Sequence, residues 1–140
     1  MSEGIEEKYL RKLVNIPSEF PNEKKVLEML EEELIGLGFS LERHHISDNR
    51  WSILAKRGSG KSSVLFYGHV DTVPEYGGWS TSPTRLTSKG DKLYGLGACD
   101  MKGGIASVLS ALKNEKSKMK KAKLFVFSCR KDLVCISIGC

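Results

Sequence analysis

His69 and Asp71 stand two residues apart at the end of an apolar run, in the stretch Val64-Leu65-Phe66-Tyr67-Gly68-His69-Val70-Asp71-Thr72-Val73-Pro74. Imidazole and carboxylate are both ligand types that zinc accepts. Residues i and i+2 of an extended segment point the same way, so the two side chains project together. One ring nitrogen can then bind a metal while the carboxylate fixes ring orientation and tautomer through the other. A histidine hydrogen-bonded in a turn is the simpler account of a lone strand-end histidine. A second segment, Leu93-Tyr94-Gly95-Leu96-Gly97-Ala98-Cys99-Asp100-Met101-Lys102-Gly103-Gly104, adds a further carboxylate, Asp100, in a glycine-rich setting.

These residues need elements to hold them, and the apolar periodicity supplies a set. Val64 to Tyr67 is short, β-branched and aromatic, and reads as a central strand buried on both faces, as in a mostly parallel sheet covered by helices. Ligands of such sheets bind in the crevice beyond the strand ends, where His69 and Asp71 fall. Ile5 to Val14 reads as an amphipathic helix stopped by Pro17. A second helix, with Val26, Leu27, Leu30, Leu34 and Leu37 on one side, starts from Asn22 as N-cap and ends at Gly38. Phe39 to Ile46 and Trp51 to Ala55 read as strands joined at Ser47-Asp48-Asn49-Arg50, and Arg85 to Tyr94 as a hairpin turning at Lys89-Gly90-Asp91. Ile105 to Leu112 reads as a helix, and Lys123 to Ser128 as a strand parallel to Val64–Tyr67. His44 and His45 are adjacent on a strand and face opposite ways, so they cannot share one site. Gly60-Lys61-Ser62 lacks the first glycine of a phosphate loop, where Ala55 stands, and Asp100 replaces the third glycine of a dinucleotide fingerprint. No nucleotide-binding residues are assigned.

Together, Gly68-His69-Val70-Asp71-Thr72-Val73-Pro74 and Leu93 to Gly104 resemble the paired motifs of the two-zinc amidohydrolase and peptidase family of acetylornithine deacetylase, succinyl-diaminopimelate desuccinylase, aminoacylase and glutamate carboxypeptidase. Leu13-Val14-Asn15-Ile16-Pro17-Ser18 is similar to that family's opening helix and turn. The resemblance implies a three-layer α/β/α zinc-peptidase-like sheet, incomplete at its C-terminal side, and metal-dependent hydrolysis of an N-acyl amino acid or small peptide. It implies that His69 is a terminal ligand of one zinc, that Asp71 is the catalytic residue orienting it, and that Asp100 bridges two ions. Zinc is the implied cofactor, with cobalt as a substitute. It also implies a cis peptide at Asp100-Met101, with Gly97, Ala98, Gly103 and Gly104 allowing close packing there.

At 140 residues the chain is the size of one domain. Residues 1–140 are expected to be the N-terminal portion of a catalytic domain, without the lid or dimerisation domain of the resembled family. The apolar and charged fractions are those of an ordinary globular domain, and no apolar run approaches the roughly 20 residues that span a bilayer. With an acidic N-terminus lacking a signal core, the expectation is a cytoplasmic protein with no membrane partner. The net charge of +5 concentrates in Lys113, Lys116, Lys118, Lys120, Lys121 and Lys123, without interleaved aromatics, which reads as a solvated connector and not a nucleic-acid groove. Cys129, Cys135 and Cys140 form no C-x-x-C pair and read as free thiols, and Cys99 as a small packing residue. Oligomeric state is not legible.

The resemblance breaks after Ser128. There the family places a general-base glutamate followed by a metal-binding glutamate. Counting from the strand puts Lys131 and Asp132 at the pair; counting back from Ser137-Ile138-Gly139 puts Leu133 and Val134 there. Neither register supplies the base, and a charged lysine cannot take a proton. The expectation is an incomplete, inactive copy of the enzyme; the alternative is a non-catalytic binding or regulatory module that keeps the fold.

Overall fold

Ile5–Val14 forms α1, with Tyr9, Leu10, Leu13 and Val14 buried and its acidic and basic residues placed in the first and last turns, where they complement the helix dipole. Lys24–Gly36 forms α2, burying Val26, Leu27, Leu30 and Leu34. The computed structural model that defines these elements describes residues 3–59, 63–114 and 122–128, with Ser63 and 122–128 described by backbone alone. The N-cap of α2 is Glu23, not Asn22, and makes no side-chain cap bond. Asn22 is instead used in a turn, its N–H donating to the Glu19 carbonyl at 2.6 Å around the cis Phe20-Pro21 bond. Glu23 is fully buried and accepts two bonds from Arg50, at 3.0 and 3.1 Å.

Ser40–Ser47 (β1) and Arg50–Arg57 (β2) pair antiparallel around Asp48-Asn49. Ser63–His69 is β3 and Ala122–Ser128 is β6; between them lie the short hairpin Thr87–Lys89 (β4) and Lys92–Tyr94 (β5), a π-helical turn Ala98–Lys102, and α3, Gly103–Asn114. The main sheet runs β1-β2-β6-β3. As the spacing of apolar runs implies, β3 and β6 are parallel neighbours, and their register sets His69 opposite Ser128, so the two strands end side by side. The other two pairings, β1 with β2 and β2 with β6, are antiparallel, so the sheet is mixed and not mostly parallel.

Trp51, Ile53 and Ala55 of β2 share one core with buried residues of α1, α2 and α3. Carboxylates under the sheet help to pin α2: Glu31 accepts from Trp51 Nε1 at 2.9 Å and from Arg43 at 2.5 and 2.7 Å, with the Arg43 guanidinium over the Trp51 ring.

The apolar run in β3 behaves otherwise than its composition implies. Val64, Leu65, Phe66 and Tyr67 are between 36% and 50% exposed, and β3 is an edge of the four described strands, not a central one. Four successive residues of a strand sample both faces, so both faces are open there. Hydrophobicity prescribes a strand that can be covered; what lies over it is decided by the neighbouring elements. His44 and His45 lie exposed on the edge strand β1, consistent with their exclusion from a shared site.

Candidate metal centre

The end of β3 and the turn before α3 bring His69, Asp71 and Asp100 together. Nε2 of His69 lies 3.0 Å from Oδ1 of Asp100. Its Nδ1 lies 3.3 Å from the backbone carbonyl of Asp71 and also 3.3 Å from that residue's Oδ1. The second contact is close without being a hydrogen bond, for Asp71 Oδ1 is buried and has no hydrogen-bond partner. The carbonyl is therefore the acceptor that holds the ring. The carbonyl can only accept, and so can the Asp100 carboxylate: Nδ1 donates to the first in one tautomer, Nε2 to the second in the other, and a metal ion at Nε2 would select the Nδ1–H form.

Several close approaches fix this arrangement. The Asp100-Met101 peptide is cis, as the family resemblance implies, and Asp100 and Met101 leave helical geometry inside the turn. Gly97 has φ +74°, and a Cβ there would meet Thr72 Cγ2 at 2.7 Å; a Cβ on Gly103 would meet the Ala98 carbonyl oxygen at 2.6 Å. Gly104 is under no such constraint, its nearest contact being 3.9 Å away. The His69 segment is braced from the chain beyond α1: Ser18 Oγ donates to the Val70 carbonyl at 2.7 Å, and the Thr72 N–H donates to the Ser18 carbonyl at 3.0 Å.

The side chains of His69 and Asp71 are 10% and 14% exposed, while that of Asp100 is 64% exposed. Asp71 and Asp100 face an open cleft of about 270 Å³ walled by Val73, Trp79, Leu96 and Cys99. A larger open cleft, about 760 Å³ beside Pro17 and the Asp48-Asn49 hairpin, contains none of the three. Cys99 is exposed at the cleft and does not pack in the interior as its small size suggested. Lys102, two residues beyond Asp100, is 2% exposed, and burial pushes its ammonium pKa down to about 8. Neither Lys102 nor Ser18 stands out in the sequence as part of a site, since one looks like a solvated lysine and the other like a turn residue.

The donor set fits part of a metal shell. Nitrogen and oxygen donors each about 2.0–2.2 Å from a zinc ion can lie near 3 Å from one another, as His69 Nε2 and Asp100 Oδ1 do. Among the described residues, no three His, Cys, Asp or Glu side chains form a group able to hold a metal ion. Lys131, Asp132, Leu133 and Val134, the alternatives for the acidic pair, lie outside the described residues, as do Cys129, Cys135 and Cys140.

Comparison with known proteins finds relatives of one kind. The family model for peptidase family M20/M25/M40 matches residues 65–129. The acetylornithine deacetylase of Vibrio vulnificus (strain CMCP6) is 36% identical over 113 residues, which are 80% of this chain and 30% of that relative. The same enzyme of Aliivibrio salmonicida (strain LFI1238) is 39% identical over 105 residues, 74% of this chain and 28% of the relative. Over residues 65–129 the chain is similar to peptidase family M20/M25/M40.

Solved structures show a similar fold. Human carnosine dipeptidase 1 superposes with a TM-score of 0.78 at 25% identity, covering 94% of this chain and 33% of that one. An M20 family metallo-carboxypeptidase from Sulfolobus solfataricus gives 0.79 at 23% identity, over 91% and 31%, and shows the shared α/β fold. The chain thus spans about a third of the length of its M20 relatives.

Proposed function

We propose that this chain provides part of a metal-dependent amidohydrolase site, in a protein that cleaves an N-acyl amino acid or small peptide beside a free carboxylate. The observation that carries the reading is the 3.0 Å approach of His69 Nε2 to Asp100 Oδ1, at the carboxyl end of β3 and against an open cleft. His69 and Asp100 would hold the metal, zinc or cobalt, through an imidazole nitrogen and a carboxylate oxygen. A bound ion supplies Lewis acidity toward the amide carbonyl and lowers the pKa of water. The chain's own residues do the rest of what is assigned here. The Asp71 carbonyl holds the His69 ring through Nδ1 and leaves Nε2 toward the metal, while the Asp71 carboxylate, 3.3 Å from the same nitrogen without a hydrogen bond to it, places a negative charge beside the ring. Trp79 and Leu96 offer apolar surface to the substrate.

Identity of 36–39% to acetylornithine deacetylases supports an acyl amino acid substrate. The 140 residues are read as the N-terminal portion of the catalytic domain of a cytoplasmic enzyme, with the lid or dimerisation domain outside them. No helix of the described residues is long and apolar enough to cross a membrane. A second reading, a metal-binding module without hydrolysis, is favoured by the meeting of only two donors among the described residues and by the absence of a glutamate from 129–140.

Calorimetric titration with zinc tests the site. Weak binding, completed by water or buffer ligands, is expected from the 140-residue chain, and loss of that binding in both His69→Ala and Asp100→Ala. Tight stoichiometric binding that survives His69→Ala would move the site elsewhere, with the cysteines as the first suspects.

A further inference from the structure

Lys102 is the largest fully buried side chain of the described residues, and it is charged. Its Nζ donates to the carbonyl of Leu13 at 2.8 Å and to that of Ile16 at 3.2 Å, both at the C-terminal end of α1. Among the described residues no carboxylate comes within ion-pair distance of it. Burying an ammonium without a counter-ion is costly, and an apolar side chain of the same length would fill the volume without that cost. The favourable terms that remain are two charge-assisted bonds to backbone acceptors and the negative end of the α1 dipole.

Those bonds join particular places. Lys102 ends the π-helical turn that carries Asp100, and its own N–H donates to the Gly97 carbonyl at 2.9 Å, closing the turn. Its ammonium reaches the chain between Leu13 and Ile16. Two residues on, Ser18 holds Val70 and Thr72, on either side of Asp71 and just beyond His69, at 2.7 and 3.0 Å. One short segment, 13–18, therefore grips both the histidine-bearing and the aspartate-bearing parts of the centre.

We infer that Lys102 is a positioning residue: by clamping the Asp100 turn to the end of α1, its buried ammonium sets the distance between Asp100 and His69. The inference deepens the proposed metal site and rests on it for one of two readouts, while the other needs no metal. Its effect is local, because the tether acts on the turn two residues from Asp100 and not on the core packing of α1 against α3.

The test uses the 140-residue chain, with Lys102→Met removing the ammonium while keeping most of the stem. Asn15→Ala is the control, since Asn15 Oδ1 accepts from the Leu86 N–H at 2.9 Å and tethers the same end of α1 to a segment away from the metal residues. The metal-free readout is the ring resonances of His69, of three histidines in all, by NMR. Lys102→Met is expected to move them to the positions seen in Asp100→Ala, and Asn15→Ala to leave them in place. The metal readout is cobalt affinity, expected to fall by about tenfold or more in Lys102→Met and to stay within about twofold in Asn15→Ala. Should the wild-type chain take up no cobalt, the metal reading fails, and the His69 resonances still decide the role of Lys102. His69 resonances unchanged in Lys102→Met, or displaced equally in Asn15→Ala, would overturn the inference. If Lys102→Met does not fold, Lys102→Gln, which keeps one donor group, is read in the same way. Failure of both to fold would make Lys102 a residue of the fold as a whole and also overturn it.

Discussion

At the scale of the residue, burial has opposite consequences for groups that ionise in opposite senses. Tyr9 is buried between α1 and α2 and donates to Glu33 Oε2 at 3.2 Å. Its phenol pKa is pushed up to about 12, chiefly by burial and further by the neighbouring Glu33 carboxylate. In the unfolded chain the phenol ionises near 10. From about pH 10 to 12 the unfolded state therefore holds fewer protons than the native state, and stability falls as pH rises. The contribution of Tyr9 is fully present below that window and is lost through it. Denaturant midpoints measured across this range should decline more steeply for the wild-type chain than for Tyr9→Phe, and the difference between the two curves isolates this phenol from other titrating groups. Parallel curves would mean that Tyr9 ionises normally in the native state.

At the scale of the element, α2 shows how polar contacts fix the placement of a helix whose apolar stripe alone would tolerate sliding. Leu27, Leu30 and Leu34 pack it into the core, but its start is located by Glu23 on Arg50 and its middle by Glu31 on Arg43 and Trp51. Glu23 is fully buried and the Arg50 side chain is 10% exposed, with its guanidinium 4.3 Å from the Phe20 ring. Removing one partner of a buried pair costs more than replacing both, because the remaining charge loses its counter-ion. Glu23→Ala is expected to destabilise the chain by about 3 kcal/mol, and Glu23→Ala with Arg50→Met by less than the single change. Urea unfolding of the two variants checks this. A double variant that is the less stable of the two would contradict it.

At the scale of the whole molecule, the centre joins segments about thirty residues apart in sequence, at one end of a sheet whose two parallel strands finish side by side. His69 Nε2 and Asp100 Oδ1 meet there with Asp71 beside them, and among the described residues no third His, Cys, Asp or Glu completes a group able to hold a metal ion; the proposed site has no assigned base. General-base assistance contributes about 10² to 10⁴ in rate, and effects of groups acting as a unit do not simply multiply. The 140-residue chain, supplied with zinc or cobalt, is therefore expected to hydrolyse N-acetyl and N-succinyl amino acids and dipeptides no faster than the metal alone. Assays against His69→Ala and Asp100→Ala check this. Turnover above the blank that disappears in both variants would mean that another group, Asp132 or one from a second copy, completes the site.

Local chemistry wrote much of this into the sequence. The apolar spacings of α1 and α3, the two hairpins, the parallel pairing of β3 with β6 and the glycine at position 97 could all be read there, because each is set by neighbours within a few residues or by a run long enough to form a strand. The likeness of the His69 and Asp100 segments to one hydrolase family was equally legible, since it resides in residue types at fixed spacing. What depended on distant partners was not legible. Val64 to Tyr67 has the composition of a covered strand but is half-exposed, as cover comes from other elements. Asn22 is a good capping residue, yet the cis Phe20-Pro21 turn takes its N–H, and Glu23 beside it is drawn to Arg50, 27 residues away. Cys99 has a packing residue's size but lies at an open cleft, and Lys102 has a surface residue's chemistry but lies inside. Tertiary structure alone decided these, because burial and electrostatic partnership depend on what the rest of the chain brings alongside, and composition carries no record of that.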